Sequence, residues 1–129
     1  MKVFTEQAKS GISGPISNPI VLASAPSMPA IIPTRNSETD EYVIAVDIRP
    51  VEDTNGSSIL SYHVEIDNGK GADYFTIKGN PENDLTLFAR KSIGIEPGLL
   101  YRVRYRAKNE VGFGDYSDPG YILAAGIPY

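Results

Sequence analysis

The stretch that decides the fold is Pro97-Gly98-Leu99-Leu100-Tyr101-Arg102-Val103-Arg104-Tyr105-Arg106-Ala107-Lys108. After the turn dipeptide, two sets of residues alternate. One face carries Tyr101, Val103, Tyr105 and Ala107, and the other carries Arg102, Arg104, Arg106 and Lys108. A period of two residues predicts a β-strand that buries only one face. A glycine-containing loop follows, and residues 115–124 are predicted to form the second strand of a hairpin.

The rest of the chain predicts further strands of the same kind. Alternating or short apolar segments bounded by turn residues lie at 28–33, 42–49, 59–66, 74–77 and 84–89. With the hairpin they make about seven strands, separated by turn signals roughly every 8–12 residues, which is typical of a β-sandwich. The phase of the alternation predicts a core made of Ile44, Val46, Ile48, Tyr62, Val64, Leu85, Leu87, Val103, Tyr105 and Ala107.

Composition narrows the classes of function. A chain of 129 residues suits one domain with a segment left over. No apolar run approaches the ~18 residues of a membrane span, so no membrane insertion is expected, and no signal peptide is predicted at the N-terminus. A net charge of −4 argues against a nucleic-acid surface. The absence of cysteine excludes disulfides, thiolate zinc sites and cysteine nucleophiles.

Residues 26–125 resemble a fibronectin type III domain, a module of tandem-repeat proteins. Besides the strand quoted above, the resemblance rests on Ile59-Leu60-Ser61-Tyr62-His63-Val64, Ile95-Glu96-Pro97-Gly98-Leu99-Leu100-Tyr101 and Tyr116-Ser117-Asp118-Pro119. It implies an all-β fold, a seven-stranded antiparallel immunoglobulin-like β-sandwich. It also implies that Pro97 and Tyr101 form a structural corner, in which the Tyr101 hydroxyl bonds back to the backbone.

The resemblance has one departure. The family usually places a tryptophan late in its second strand, where this chain has Ile48, and the chain contains no tryptophan. Because isoleucine is smaller, Tyr42, Tyr62 and Tyr105 are expected to fill the core instead.

Residues 1–25 are predicted to be a separate unit, because they are rich in Ser, Gly and Pro and cannot bury a core alone. Three of them match the C-terminal hairpin at a constant offset of 100, namely Gly14 with Gly114, Ser17 with Ser117 and Pro19 with Pro119. This favours an internal repeat of about 100 residues over a chance likeness of composition. Residues 1–25 are then the tail of a preceding repeat, or a strand that exchanges with a neighbouring copy. Residues 26–129 form the domain with a short C-terminal linker.

Few residues suggest chemistry. His63, the only histidine, is expected on the outward, solvated face of its strand. The turn from Asp67 to Asp73 matches a calcium loop only loosely, because Lys70 brings a cation and the glutamate at the twelfth position is missing. With no nucleophile elbow and no complete metal-ligand pattern, the sequence predicts no enzyme activity and no cofactor.

Two surface features remain. Asn55-Gly56-Ser57 fits the acceptor pattern for a glycan on Asn55, although an Asn-Gly turn that precedes serine is the favoured interpretation. The row of Arg102, Arg104, Arg106 and Lys108 is a candidate interaction surface for an acidic partner or a sulfated glycan. Cross-strand neutralisation by residues such as Glu65 is favoured over that interpretation.

The resemblance implies a non-catalytic structural or interaction module, one repeat of a tandem array in a large surface, extracellular or filament-forming protein. Its expected partners are other protein domains, above all neighbouring copies of the same repeat. An extracellular or cell-surface location is predicted, with a cytoplasmic or filament-associated one left open. One alternative is a self-assembling filament subunit that donates its N-terminal segment to a neighbour. A second is the accessory module of a larger enzyme.

Overall fold

Short strands without any helix make up the part of the chain that the structure, a computed structural model, describes. That part comprises residues 23–126 and the strands β1 (Phe4–Thr5) and β2 (Gln7–Ala8), which pair in parallel. The remaining strands are β3 (Thr34–Arg35), β4 (Ile44–Asp47), β5 (Ser61–Ile66), β6 (Phe75–Lys78), β7 (Phe88–Lys91), β8 (Leu100–Lys108) and β9 (Gly120–Leu123).

The seven strands from β3 to β9 form two antiparallel sheets. The larger sheet has the order β9-β8-β5-β6, and the smaller has the order β3-β4-β7. The predicted all-β, seven-stranded sandwich is thereby confirmed. β8 is the longest strand, at nine residues, and its alternation keeps one face toward the core along its whole length.

The core lies between the two sheets. Its buried residues include the predicted Ile44, Val46, Ile48, Tyr62, Val64, Val103, Tyr105 and Ala107. The rings of Tyr62 and Tyr105 have centroids 6.3 Å apart, and the Tyr105 hydroxyl donates to the Arg49 carbonyl at 2.9 Å. A buried tyrosine needs such a partner for its hydroxyl. Tyr62 and Tyr105 therefore both belong to a core that has no tryptophan.

The predicted burial of Leu85 and Leu87 is wrong, since their side chains are 55% and 40% exposed. The strand in this region is β7, which begins at Phe88 rather than at residue 84. Residues 84–87 form a connection held by polar contacts, in which the Asp84 carboxylate accepts from the Thr86 backbone N–H at 2.8 Å. The two leucines therefore alternate in a segment outside the sheet ladders, and they turn to solvent.

Two predictions at the starts of strands are also wrong. Tyr42 is 62% exposed, because β4 begins only at Ile44 and the Tyr42 N–H donates to Asp40 Oδ1 at 2.8 Å within a turn. The first strand of the sandwich is β3 at Thr34–Arg35 rather than residues 28–33. The prolines of that predicted segment lack the N–H that a sheet ladder needs.

Residues 24–27 dock on one end of the sandwich. The Ser24 N–H donates to Asn55 O at 3.0 Å, and Asn109 Nδ2 donates to Ser24 O at 2.7 Å. The contacts of the domain therefore begin at Ser24, just before the predicted boundary at residue 26. The predicted repeat and exchanging strand were assigned to residues 1–25, of which residues 1–22, apart from β1 and β2, lie outside the described residues.

Candidate functional site

The outward face of β8 carries a stack of alternating cations and aromatic rings, here called the cation–aromatic ladder. Its members follow one another in the order Arg102, Tyr74, Arg104, Tyr116, Arg106, Phe113 and Lys108. Arg104 Cζ lies 3.8 Å from the ring centroids of both Tyr74 and Tyr116. Arg106 Cζ lies 3.9 Å from the Phe113 centroid and 4.4 Å from that of Tyr116. The two inner guanidinium groups are each clamped between two rings, which favours cation–π attraction.

The ends of the ladder are looser. Arg102 Cζ lies 5.4 Å from the Tyr74 centroid, and Lys108 Nζ lies 5.5 Å from the Phe113 centroid. Lys108 also donates to Asn83 Oδ1 at 3.2 Å. The ladder is therefore tightest around Arg104 and Arg106, in the middle of the sheet.

The geometry of β8 explains the spacing of the ladder. Alternate residues of an antiparallel strand lie about 7 Å apart, which leaves room for one ring between successive cations. Tyr74 immediately precedes β6, while Phe113 and Tyr116 come from residues 109–116, called the β8–β9 loop. This loop folds back over the sheet, where the Gly114 N–H donates to Ala107 O at 2.9 Å.

Two carboxylates neutralise the first two arginines of the ladder. Arg104 Nη2 donates to Glu65 Oε1 at 2.8 Å, and Arg102 Nε donates to Asp67 Oδ2 at 2.9 Å. The strand register sets Glu65 directly opposite Arg104. Within residues 23–126, no carboxylate oxygen lies within 4.0 Å of the side-chain nitrogens of Arg106 or Lys108. Arg102 and Arg104 are thus paired with carboxylates, whereas Arg106 and Lys108 have no such partner among residues 23–126.

Asp67 is buried, and its carboxylate accepts three hydrogen bonds. Its Oδ1 accepts from the backbone N–H groups of Arg102 at 2.9 Å and Gly69 at 3.0 Å. Burial alone would raise the pKa of Asp67, but these bonds and the Arg102 side chain outweigh burial and hold the pKa below its usual value. Asp67 therefore stays ionised, and it fixes the turn that follows β5 against strand β8.

His63 lies beneath the ladder, and the prediction that it is solvated is wrong. Its side chain faces outward, as the alternation requires, yet it is only 1% exposed. The ring centroids of Phe113 and Tyr116 lie 5.5 Å and 6.0 Å from that of His63. Arg106 Nε donates to His63 Nδ1 at 3.0 Å, and Nε2 lies 2.9 Å from Thr76 Oγ1. The β8–β9 loop and Arg106 thus cover a position that the sheet alone would leave open.

This environment disfavours the charged imidazole. Burial lowers the pKa of His63, Glu65 opposes that effect, and the cations Arg106 and Arg104 add to it. Glu65 Oε2 lies 3.6 Å from His63 Nε2. The net direction is downward, so His63 is neutral at pH 7.

The aromatic half of the ladder was missed by sequence reasoning. Tyr74, Phe113 and Tyr116 are readable as aromatic residues next to strands. Nothing in a period of two, however, indicates over which face of a sheet the rings of a loop will fold. The arginine row was found because it lies inside a regular strand.

The predicted corner has the expected geometry. The Glu96 N–H donates to the Tyr101 hydroxyl at 2.8 Å, and the tyrosine is buried. Pro97 and Gly98 are the central residues of a turn closed by Leu99 N–H to Glu96 O at 3.4 Å. Gly98 has a φ of 83°, which suits glycine after proline in a type II turn.

Asn55 has a local role in the structure. Asn55 and Gly56 both have positive φ, at 56° and 92°, as a type I′ turn requires. Asn55 Nδ2, the atom that would carry a glycan, donates to Ala25 O at 2.7 Å. The geometry accordingly favours the Asn-Gly turn, and glycosylation of Asn55 stays a prediction.

In residues 23–126 there is no cluster of three or more histidine, aspartate or glutamate side chains that could hold a metal ion. In the turn after β5, Asn68 Oδ1 accepts from Lys70 N–H at 2.8 Å, and the Asp67 oxygens are taken by Arg102 and Gly69. The same part of the chain contains no helix long and apolar enough to cross a bilayer.

Comparison with solved structures identifies the fold. A structure described as the forth FNIII domain of human matches 93% of this chain and 95% of its own, at 21% identity and a TM-score of 0.69. The sixth fibronectin type III domain of human fibronectin type III domain containing protein 3 matches with 18% identity and a TM-score of 0.63, over 83% of this chain and 92% of its own. This chain has the fibronectin type III fold.

Other comparisons add context to the fibronectin type III fold. A crystal structure of domains A168–A170 from titin matches with 14% identity and a TM-score of 0.62, over 81% of this chain and 32% of that fragment. No protein-family model matches the sequence, and no relative was found among curated proteins.

Proposed function

We propose that this chain is a non-catalytic structural and interaction module, one link in an array of domains joined end to end. The observation that carries the proposal is where residues 24–27 and Ala124 lie on the domain. The leading segment 24–27 docks beside Asn109, which directly follows β8. At the trailing end, the Gly98 N–H donates to Ala124 O at 2.9 Å, directly before β8.

The two docking points therefore lie at opposite ends of β8. Its nine residues span about 30 Å at the rise of an antiparallel strand. When a domain is entered at one end and left at the other, each domain adds its long dimension to the length of the array. This arrangement suits a spacer whose neighbours are connected in line, and the likeness to one domain of a three-domain titin fragment supports the same use.

The ladder supports a bracing role for the arginine row. Arg104 is held by Glu65 and two rings, and Arg102 is held by Asp67. These contacts stiffen the outer face of the larger sheet. An acidic partner or a sulfated glycan remains a second use for the end of the row at Arg106 and Lys108. We place the array at the cell surface or outside the cell, with neighbouring copies of the domain as its main partners.

The experiment joins two copies of residues 23–126 in series and measures X-ray scattering in solution. We expect the maximum dimension to approach twice that of one copy. A tandem protein as compact as a side-by-side pair would contradict the in-line arrangement.

Light scattering on the full chain separates the alternatives. A monomer is expected for an array module. A polymer that disappears when residues 1–22 are deleted would instead favour the self-assembling filament subunit.

A further inference from the structure

The hydrogen bonds of His63 determine which nitrogen carries the proton. Arg106 Nε always bears hydrogen and lies 3.0 Å from His63 Nδ1, so Nδ1 must accept. Nε2 then carries the hydrogen and donates to Thr76 Oγ1 at 2.9 Å. The buried ring is therefore a neutral imidazole with its hydrogen on Nε2.

Protonation is incompatible with this arrangement. A hydrogen on Nδ1 would point at the N–H of Arg106, which removes a hydrogen bond and sets two cations against each other in a buried place. The groups that face His63 are Arg106 and Arg104 from β8, Glu65 from its own strand, Thr76 from β6, and Phe113 and Tyr116 from the β8–β9 loop. Glu65 is the only carboxylate among these groups, and it is already engaged by Arg104.

The movable partner in this contact is Arg106. Within residues 23–126 no carboxylate holds it, and its guanidinium rests only between Phe113 and Tyr116 and on His63. Both rings belong to the β8–β9 loop. If the Arg106 guanidinium leaves the slot between the rings of Phe113 and Tyr116, the loop loses the cation that these two rings enclose.

The same loop holds the leading segment of the domain. Asn109 Nδ2 donates to Ser24 O at 2.7 Å. Gly114 packs against Pro26 so closely that a Cβ at position 114 would lie 2.1 Å from Pro26 O. A change at Arg106 therefore has a short physical route to residues 24–27.

We propose that His63 is a proton-sensitive latch: protonation of Nδ1 expels Arg106 from the slot between Phe113 and Tyr116 and loosens the β8–β9 loop together with residues 24–27. The latch depends only on contacts within this chain, and it holds whether or not the domain belongs to an array. Acidification below the ordinary pKa of histidine opens the latch, and neutral pH closes it.

The test is an NMR titration of the full 129-residue chain, in which His63 is the only histidine and its ring signals are unambiguous. At pH 7.5 we expect the neutral ring with hydrogen on Nε2. Because the folded pKa lies below the unfolded one, stability is complete above about pH 6.5 and falls as the pH drops below it. Protonation of His63 should speed amide exchange in residues 109–116 relative to amides of β4. The expected increase is about tenfold for each unit by which the folded pKa of His63 lies below its ordinary value.

Two variants complete the test. Arg106→Gln removes the opposing cation, so the His63 pKa should rise toward its ordinary value and the loop should lose its response to acid. Arg90→Gln is the matched control, because Arg90 lies on the other sheet in an exposed pair with Glu38, and it should change neither result. The proposal is overturned by hydrogen on Nδ1 at neutral pH, by a titration at or above the ordinary value, or by loop exchange that does not respond to protonation. These measurements on the unmodified chain decide the matter even if a variant does not fold.

Discussion

Tyr101 and Asp67 show how single polar groups hold the turns of this domain to its longest strand. Tyr101 accepts one backbone hydrogen bond from Glu96, and Asp67 accepts two from Arg102 and Gly69. Both residues lie at the end of the sandwich where the chain leaves. A buried polar group that loses its partner costs more than the net value of the bond. These residues are therefore where single substitutions should have a measurable effect.

The substitution Tyr101→Phe removes only the hydroxyl. We expect the free energy of unfolding to fall by about 1 kcal/mol, because the Glu96 N–H loses its acceptor at the corner. Chemical denaturation measures the change. Tyr121→Phe is the control, since Tyr121 is 59% exposed and should shift stability by less than about 0.5 kcal/mol. Equal stability of Tyr101→Phe and the parent chain would refute the corner role of Tyr101 and Pro97.

The substitution Asp67→Asn keeps the shape but removes the charge that faces Arg102. We expect a loss of roughly 1.5–3 kcal/mol, typical of a hydrogen bond to a charged group. Because the folded pKa of Asp67 lies below its unfolded value, its contribution is present above about pH 4 and disappears as the pH falls through the folded pKa. The difference between parent and variant should therefore shrink in acid. A difference that stays constant down to pH 2 would contradict this assignment.

Among the elements, β8 organises the larger sheet through both of its faces. Its inward residues build the core, and its outward cations are spaced so that the ring of Tyr74, just before β6, and two rings of the β8–β9 loop fit between them. Each cation–π pair at a partly exposed site contributes about 0.5–1 kcal/mol. Each of the three rings takes part in two such pairs, but Tyr116 has both of its cations close, with Arg104 and Arg106 Cζ at 3.8 and 4.4 Å from its centroid. This makes Tyr116 the most sensitive position for testing the ladder.

The substitution Tyr116→Leu keeps apolar volume but removes the ring between Arg104 and Arg106. We expect a loss of about 1–2 kcal/mol in unfolding free energy from the two cation–π pairs. Tyr121→Leu serves as the matched control on the same face of the sheet, outside the ladder, and should have little effect. The two variants are compared by thermal and chemical denaturation. A cost for Tyr116→Leu no larger than that for Tyr121→Leu would mean that the stack contributes nothing to stability.

At the scale of the whole molecule, the boundary of the domain depends on residues 24–27. These residues contact the loops around Asn55 and Asn109 at the end opposite to Ala124. Asn109 is buried, and its amide donates to both Ser24 O and Thr54 O. Removing this segment would expose polar groups that the domain now satisfies internally.

Two deletions test this boundary. Removal of residues 1–22 should leave the melting temperature of the remaining domain nearly unchanged. Removal of residues 1–27 should cost about 2 kcal/mol or more through lost hydrogen bonds, which lowers the melting temperature by roughly 10 °C in a domain of this size. A large loss from the shorter deletion would show that residues 1–22 pack within the same chain.

The sequence by itself determined the features that depend on local backbone geometry. A period of two residues assigns faces to a strand wherever the strand exists, which is why β8, β5 and most of the core could be predicted. The Pro97-Gly98 turn is likewise a local signal, whereas the corner role of Tyr101 was expected from the resemblance to fibronectin type III domains. Leu85, Leu87 and Tyr42 were misplaced because the same alternation also occurs in segments that join no sheet.

Only the tertiary structure decided what covers the outward face of the larger sheet. Phe113 and Tyr116 are about fifty residues from His63 in the chain, and no local pattern brings them together. Their burial of His63 depends on the return of the β8–β9 loop across β8. The face that a side chain points to is a property of its own strand, whereas its exposure to water depends on every segment that packs over it.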